Sequence, residues 1–227
     1  VTIDPKTAKD FDDAVCLIEE NGKRTLWVAI ADVAHYIEPE TLLDDEARAR
    51  ATSVYLPHAV LPMLPSRLSD NLCSLRAKVP RLAMTVSMEI ENDCTIGKVA
   101  AFESIIEVQE NLSYEDALDN PKFQNMMDLA EELRRNEIRL NLNSAELRPR
   151  VLEDEISVNV KWPNKATEMI ETFMVATNNS IGILLGEKNA PLPWRCHAPP
   201  DAPEVEELNA KFKNMGINIE LPMPSVK

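Results

Sequence analysis

Four aspartates lie close together near the start of the sequence, at Asp4, Asp10, Asp12 and Asp13. Like charges at short range repel, so each carboxylate makes ionisation of the others more costly. Two arrangements relieve that repulsion: the side chains separate into water, or a divalent cation lies among them. Hard oxygen ligands at short, irregular spacing suit Mg²⁺ or Mn²⁺. The pattern by itself is equally consistent with a metal site and with a solvated turn.

The acidic stretch lies between two runs with the character of β-strands. Val1-Thr2-Ile3 precedes it, and the apolar run of residues 14–18 follows it. The second run predicts a strand that turns at Asn21-Gly22, a strong signal for a two-residue hairpin. The return strand, residues 25–31, is apolar enough to be central in a sheet and buried on both faces. We therefore expect rigid sheet structure to hold the aspartates.

The rest of the pattern mixes strands and helices without regular alternation. Residues 82–90 alternate between apolar and polar side chains, which predicts a half-buried strand, and residues 95–109 form its return strand. Further helices are predicted at 41–51 with Thr41 as N-cap, at 111–118 with a capping pattern of Ser113 and Asp116, from Asn120 onward, at 164–185 beginning at Asn164, and at 204–215. The helix after Asn120 has an apolar face of Phe123, Met126, Met127, Ala130 and Leu133, and the helix at 164–185 has one continuous apolar stripe. Further strands are predicted at 138–142, 155–160 and 194–197. We expect an α+β fold, with a mixed or antiparallel sheet and packed helices.

A proline-rich segment, residues 53–65, follows the first predicted helix. Its prolines exclude a helix and allow only short edge strands. The segment is apolar and contains one tyrosine, Tyr55, so we interpret it as a wall of a cleft. Residues 66–75 are expected to hold one helical turn.

Charge and composition exclude several classes of protein. The formal net charge of −14 argues against a protein that coats nucleic acid non-specifically, although a nuclease can gather positive charge in one channel. No window approaches eighteen uninterrupted apolar residues, so we predict no membrane span. The four cysteines are far apart, which favours reduced thiols and a cytoplasmic protein. The three histidines are scattered, which argues against a histidine-based metal site.

Several motifs then occur in a fixed order through the chain. The first is TIDPKTAKDFDDA, residues 2–14. The later ones are residues 28–36, 52–57, 62–65, 68–69 with 73–75, 81–83, 112–114, 170–178 and 195–200. Together they resemble the RNB catalytic domain of the ribonuclease II / ribonuclease R family of exoribonucleases, over nearly the whole chain.

The resemblance implies a hydrolytic 3′-to-5′ exoribonuclease. Members of the family degrade single-stranded RNA to nucleoside 5′-monophosphates at a Mg²⁺ site, in which Mn²⁺ is the alternative ion. The family aspartates fall on the four aspartates of this chain. Asp4, Asp10 and Asp13 are the expected metal ligands, and Asp10 and Asp12 the expected catalytic residues. We expect Asp12 to matter most for the chemical step.

Three further positions are expected to contact RNA because they match family residues near the bound strand: Tyr55, Tyr114 and Glu171. An aromatic ring stacks on bases irrespective of sequence, and a carboxylate accepts hydrogen bonds from ribose hydroxyls. Each also has a structural interpretation, as loop packing, helix-start packing and an ordinary helix ion pair respectively. Asp32 and His35 belong to a family motif and are interpreted as structural.

The chain also departs from the family pattern. The family's later Thr-Ser-Pro-Ile-Arg segment, whose arginine meets the scissile phosphate, does not occur in residues 1–227, nor do the flanking cold-shock and S1 RNA-binding domains. An aromatic that some members carry does not occur near residues 142–147. We therefore expect residues 1–227 to be a partial RNB catalytic domain. The alternative is a catalytically inactive RNB fragment, acting as a binding or scaffold module.

Overall fold

The computed structural model describes residues 1–136, 144–152, 155–196 and 198–224. These residues form two compact units, Val1–Lys188 and Asn189–Lys227. The strands are β1 (Thr2–Asp4), β2 (Asp13–Glu20), β3 (Lys23–Ala31), β4 (Val54–Tyr55), β5 (Val60–Leu61), β6 (Pro80–Ile90), β7 (Ile96–Glu107), β8 (Asn111–Ser113), β9 (Glu146–Leu152) and β10 (Glu155–Lys161). The α-helices are α1 (Leu42–Arg50), α2 (Tyr114–Leu118), α3 (Gln124–Arg135), α4 (Lys165–Glu187) and α5 (Ala202–Asn214).

An antiparallel sheet of four strands, in the order β2-β3-β6-β7, is the centre of the first unit. The β2–β3 turn is Asn21-Gly22, with φ of 53° and 74°. Positive φ at both positions matches the right-handed twist of the strands. β3 lies between β2 and β6, as its apolar sequence predicts. The predicted α+β class, an antiparallel sheet with packed helices, is confirmed.

The main core lies between one face of this sheet and the helices α3 and α4. Leu26, Met88 and Phe173 are fully buried in it. Phe123 and four residues of α3 complete the predicted apolar face: Met126, Met127, Ala130 and Leu133. Burial of side chains of this size contributes about 1.5–3 kcal/mol each. This core fixes the sheet that carries Asp13.

The second face of the sheet is covered at one end, which corrects the prediction for residues 82–90. Ala83 is fully buried and Thr85 is buried, whereas Met84 is 39% exposed. Ala83 lies in a second cluster with Cys73 and Leu75. The chain before β6 therefore packs onto the face that alternation assigned to solvent. Alternation predicts the faces correctly only where one face meets water.

A short parallel pair, β1 with β8, lies outside the main sheet. Thr2, Ile3 and Asp4 pair with Asn111, Leu112 and Ser113. The predicted helix at 111–118 is therefore wrong in its first three residues, and α2 begins only at Tyr114. The capping box of Ser113 and Asp116 is present as predicted. Residue 113 ends the strand and caps the helix.

The remaining strand predictions are confirmed in some segments and wrong in others. Val54–Tyr55 and Val60–Leu61 form the short strands expected in the proline-rich segment. β10 pairs with β9, and the predicted strand at 138–142 lies outside the described residues. Residues 194–196 form no strand, and His197 is outside the described residues. In the second unit, Asn209 of α5 exchanges two hydrogen bonds with the backbone of Leu221.

Among the described residues, no helix has both the length and the apolar character that a membrane crossing requires.

Candidate functional site

The acidic loop, residues 4–13, joins β1 to β2. Asp4 is the last residue of β1, and Asp13 is the first residue of β2. The amide of Val15 donates to the carbonyl of Val1 at 2.8 Å, so the two strands lie side by side. Because both ends of the loop are anchored in sheet structure, the loop must return on itself, and the charges of Asp10, Asp12 and Asp13 all act on Asp4.

Ser74 fixes the middle of the acidic loop. Its side chain is fully buried, and its Oγ donates to the carbonyl of Lys9 at 2.7 Å and accepts from the amide of Phe11 at 3.1 Å. The amide of Leu75 donates to the carbonyl of Phe11 at 2.8 Å. The Phe11 ring packs against the second cluster. Asp10 and Asp12 therefore flank a residue that is held on both its backbone and its side chain.

Asn111 links β1 to β8 and to the chain that precedes β6. Its Nδ2 donates to Thr2 Oγ1 at 2.8 Å and to the carbonyl of Leu75 at 3.0 Å. Its Oδ1 accepts from the amide of Ala77 at 2.7 Å. Sequence reasoning did not single out Ser74 or Asn111 as site residues. Ser74 lay in a family motif, but the sequence contains no local signal for a partner 63 or 65 residues away.

The carboxyl groups of Asp4, Asp12 and Asp13 are difficult to ionise. The pKa of Asp4 is raised to about 7, first by burial and then by the charge of Asp13, while a hydrogen bond from Thr2 opposes the shift. The pKa of Asp12 is raised to about 6 by desolvation and then by Asp10 and Asp13. Burial also raises the pKa of Asp13. Asp12 is exposed, so solvent screens it more than Asp4.

Two buried carboxylate oxygens suit a divalent ion. Within the described residues, Asp4 Oδ2 and Asp13 Oδ2 are buried and have no hydrogen-bond partner. A buried anionic oxygen without compensation is unfavourable, and a cation is one means of compensating it. The donor set is all oxygen, which fits Mg²⁺ or Mn²⁺. No three Asp, Glu, His or Cys side chains of the described chain are arranged closely enough to hold an ion as placed.

Tyr55 is in contact with the acidic loop. Its hydroxyl donates to Asp10 Oδ2 at 3.2 Å, and 67% of the residue is exposed. Desolvation, followed by the charge of Asp10, raises the pKa of Tyr55, so the phenol keeps its proton. The structure therefore places the predicted cleft-wall tyrosine directly beside a predicted site aspartate.

Tyr114 and Glu171 lie on helices connected to the site. Tyr114 follows Ser113, which is in register with Asp4, and Lys161 Nζ lies 4.7 Å from the centre of its ring. Glu171 is exposed on α4, which packs against α2. Tyr114 is thus the neighbour of a residue that pairs with Asp4. Glu171 lies on α4, which contacts α2, the helix that begins at Tyr114.

The Asp32 carboxylate accepts a hydrogen bond from a short helical turn. Its Oδ1 accepts from the amide of His35 at 3.2 Å, and the turn spans Ala34–Tyr36. The His35 ring meets the Tyr36 ring edge-on, with centroids 5.2 Å apart. These contacts agree with the structural interpretation of Asp32 and His35.

Comparison with known proteins gives one family and several relatives. The RNB domain matches residues 1–225. Ribonuclease R of Chlamydia pneumoniae is 35% identical over 96% of this chain, and the match covers 35% of that protein. Ribonuclease R of Escherichia coli K12 is 31% identical over 98% of this chain and 30% of that protein. The chain therefore spans about a third of the length of the curated relatives that it matches.

Solved structures show the same fold. Mycoplasma genitalium RNase R in complex with ribose methylated single-stranded RNA matches with a TM-score of 0.88 and 27% identity, over 100% of this chain and 38% of that one. A yeast pseudonuclease matches with a TM-score of 0.76 and 19% identity, over 97% of this chain and 29% of that one. The second likeness concerns the fold alone.

Proposed function

The chain belongs to the RNB domain family, and from that premise we propose that it supplies the metal-binding part of a 3′-to-5′ exoribonuclease site. The reaction is hydrolysis of single-stranded RNA to nucleoside 5′-monophosphates. The ribonuclease R relatives and the complex of one relative with single-stranded RNA support this substrate class. The site takes Mg²⁺, with Mn²⁺ as its substitute.

The observation that carries the proposal is the buried, uncompensated pair of oxygens on Asp4 and Asp13. A protein that only binds or scaffolds gains nothing from two carboxylates whose pKa is raised by burial. Intact acids at such a position are typical of a functional site. We assign metal binding to Asp4, Asp10 and Asp13.

We propose roles for the remaining residues of the loop. Asp12 is exposed, so its carboxylate can meet an attacking water, and we assign it to accept the proton of that water. Asp10 lies close enough for its charge to act on Asp12, and we assign Asp10 to the same step. A divalent ion held by Asp4, Asp10 and Asp13 would stabilise the charge that grows on the oxygen of the attacking water and on the leaving ribose oxygen.

RNA contacts are assigned to the Tyr55 ring, the Tyr114 ring and Glu171. The exposure of Tyr55 beside Asp10 supports its assignment to stacking on a terminal nucleotide. Glu171 is assigned to ribose hydroxyls. We place the protein in the cytoplasm, because Cys16, Cys73, Cys94 and Cys196 are all free thiols.

A catalytically inactive RNB module is the second candidate. The fold is compatible with it, because a yeast pseudonuclease shares this fold at a TM-score of 0.76. The family's phosphate-binding arginine segment is also absent from residues 1–227. We therefore expect the isolated chain to be much less active than a protein that contains this segment.

Hydrolysis of uniformly labelled single-stranded RNA tests the proposal. The 227-residue chain, and a protein that contains both this chain and the arginine segment, are each incubated with Mg²⁺ or with EDTA, and mononucleotides are separated chromatographically. We expect Mg²⁺-dependent release of nucleoside 5′-monophosphates by the protein that contains the arginine segment. Asp12→Asn should lower the rate by about 10²–10⁴-fold, because it removes the group that takes the proton.

Asp119→Asn is the matched control, since it removes the same charge from an exposed position at the end of α2. Its rate should equal that of the wild type. Metal-independent hydrolysis, or a full rate for Asp12→Asn, would refute the proposed mechanism. No release of mononucleotides under any condition would favour the inactive module. Full activity of the isolated chain would contradict the expected need for the missing arginine segment.

A further inference from the structure

The Asp10 carboxylate is oriented by two contacts. Its Oδ1 accepts from the amide of Lys9 at 3.4 Å, which is at the long limit for a hydrogen bond. Its Oδ2 accepts from the hydroxyl of Tyr55 at 3.2 Å. The Tyr55 hydroxyl therefore makes the shorter contact, and it comes from a segment 45 residues away in the chain.

The hairpin that carries Tyr55 is fixed at its base. The amide of Met63 donates to Ser53 Oγ at 2.9 Å, and the guanidinium of Arg50 donates to the carbonyl of Pro62 at 3.1 Å. Strands β4 and β5 pair Tyr55 with Val60. These contacts limit the positions of the Tyr55 backbone, so the hydroxyl is delivered to Asp10 by an ordered element.

The ring and the hydroxyl of Tyr55 have different surroundings. The residue is 67% exposed, which leaves the ring accessible, whereas the hydroxyl is engaged by Asp10. One side chain thus has two separable parts. The ring is available to a nucleotide, and the hydroxyl acts on the acidic loop.

We propose that the Tyr55 hydroxyl is a positioning group that orients the Asp10 carboxylate for divalent-ion binding. This inference rests on the proposed function, because it takes Asp10 as a metal ligand. A carboxylate that is already hydrogen-bonded in one orientation loses less freedom when it binds an ion. Loss of such a supporting hydrogen bond lowers metal affinity by about 10–100-fold in metalloproteins.

Titration of the 227-residue chain with Mn²⁺ in the absence of RNA tests the inference, with free Mn²⁺ measured by electron paramagnetic resonance. Tyr55→Phe keeps the ring and removes the hydroxyl, and Tyr55→Leu removes both. We expect both variants to bind Mn²⁺ about 10-fold more weakly, and to equal extents. Tyr36→Phe is the matched control, since it deletes a phenol hydroxyl next to His35, and it should change the affinity by less than about twofold. Thermal melting verifies that each variant is folded.

A double-mutant cycle with Asp10→Asn separates orientation from indirect effects. If the hydroxyl acts through Asp10, Tyr55→Phe should cause no further loss of Mn²⁺ affinity in the Asp10→Asn background. Additive losses would overturn the inference, as would unchanged affinity in Tyr55→Phe. In both of those cases the wild type still binds Mn²⁺, so the proposed function stands. A wild-type chain that binds no Mn²⁺ would instead remove the proposed metal site and the inference with it.

Discussion

Asp4 and Asp13 bury carboxylate oxygens that find no partner in the described part of the chain. Such atoms are rare in folded proteins, because they lose their hydrogen bonds to water and gain none within the protein. The pKa of Asp4 is raised to about 7 for this reason, with a further contribution from Asp13. In the absence of an ion, the two residues lower the stability of the fold at neutral pH.

Because ionised buried carboxylates destabilise the folded chain, its thermal stability in EDTA is predicted to depend on pH. The folded chain holds a proton on Asp4 up to about pH 7 and on Asp12 up to about pH 6. An unfolded chain releases these protons near pH 4. The folded state therefore binds more protons between these values, and stability must fall as pH rises through that window. We expect the melting temperature in EDTA to be lower at pH 8 than at pH 5.

Variants and added Mg²⁺ test the origin of this slope. Asp4→Asn cannot ionise, so it should flatten the dependence, whereas Asp45→Asn on the exposed surface of α1 should leave it unchanged. Mg²⁺ should raise the melting temperature more at pH 8 than at pH 5, because protons compete with the ion at low pH. An equal slope in Asp4→Asn and the wild type would contradict the assignment to Asp4.

At the scale of elements, the acidic loop is held by a segment that follows it by about sixty residues. The five-residue π-helical turn Leu68–Leu72 precedes Ser74, and Arg81 of β6 donates to the carbonyls of Asn71 and Ser74. Ser74 in turn holds the backbone on either side of Asp10. The geometry of the site therefore depends on how this turn packs against the second face of the sheet.

Ser74→Ala is expected to destabilise the chain by about 1–3 kcal/mol, because it leaves the amide of Phe11 and the carbonyl of Lys9 without their partner. It should also weaken Mn²⁺ binding, since the loop between Asp4 and Asp13 loses its central attachment. Urea unfolding and Mn²⁺ titration measure the two effects.

Ser69→Ala is the matched control for Ser74→Ala. Its hydroxyl bonds to the neighbouring Asp70 and not to the acidic loop, so the change in unfolding free energy should stay within about 0.5 kcal/mol. If Ser74→Ala behaved like Ser69→Ala in both measurements, Ser74 would have no role in holding the loop.

At the scale of the whole molecule, the negative net charge disfavours binding of the proposed substrate, RNA. The chain carries −14, and RNA is a polyanion. Part of this charge lies in the acidic loop, where the phosphate chain must approach. Divalent ions would remove that local repulsion, so RNA binding and metal binding should be coupled.

We therefore expect the 227-residue chain to bind a labelled single-stranded RNA of about 12 nucleotides more tightly in Mg²⁺ than in EDTA at the same ionic strength. Fluorescence anisotropy measures both affinities. Asp13→Asn should raise the affinity in EDTA and reduce the gain from Mg²⁺, whereas Asp128→Asn on the exposed surface of α3 should change neither. Tight binding that is independent of Mg²⁺ would show that RNA is held without the acidic loop.

The sequence alone predicted much of the fold, because the signals involved are local. The Asn21-Gly22 hairpin, the caps at Thr41, Ser113 and Asn164, and the apolar faces of α3 and α4 follow from neighbouring residues. Motif order also identified the family, which the match to residues 1–225 bears out. The candidate residues of the site were named at this level, and their roles remain proposals.

Contacts between distant segments were decided only by the tertiary structure. The pairing of β1 with β8, the burial of Ala83 and Thr85, and the attachment of the acidic loop to Ser74 join residues far apart in the chain. The Tyr55–Asp10 hydrogen bond is of the same kind. No local pattern encodes such partners, because they depend on which surfaces meet when the sheet, helices and loops pack together. The sequence determined that four aspartates lie near one another, and packing decided which of their oxygens are buried without a partner.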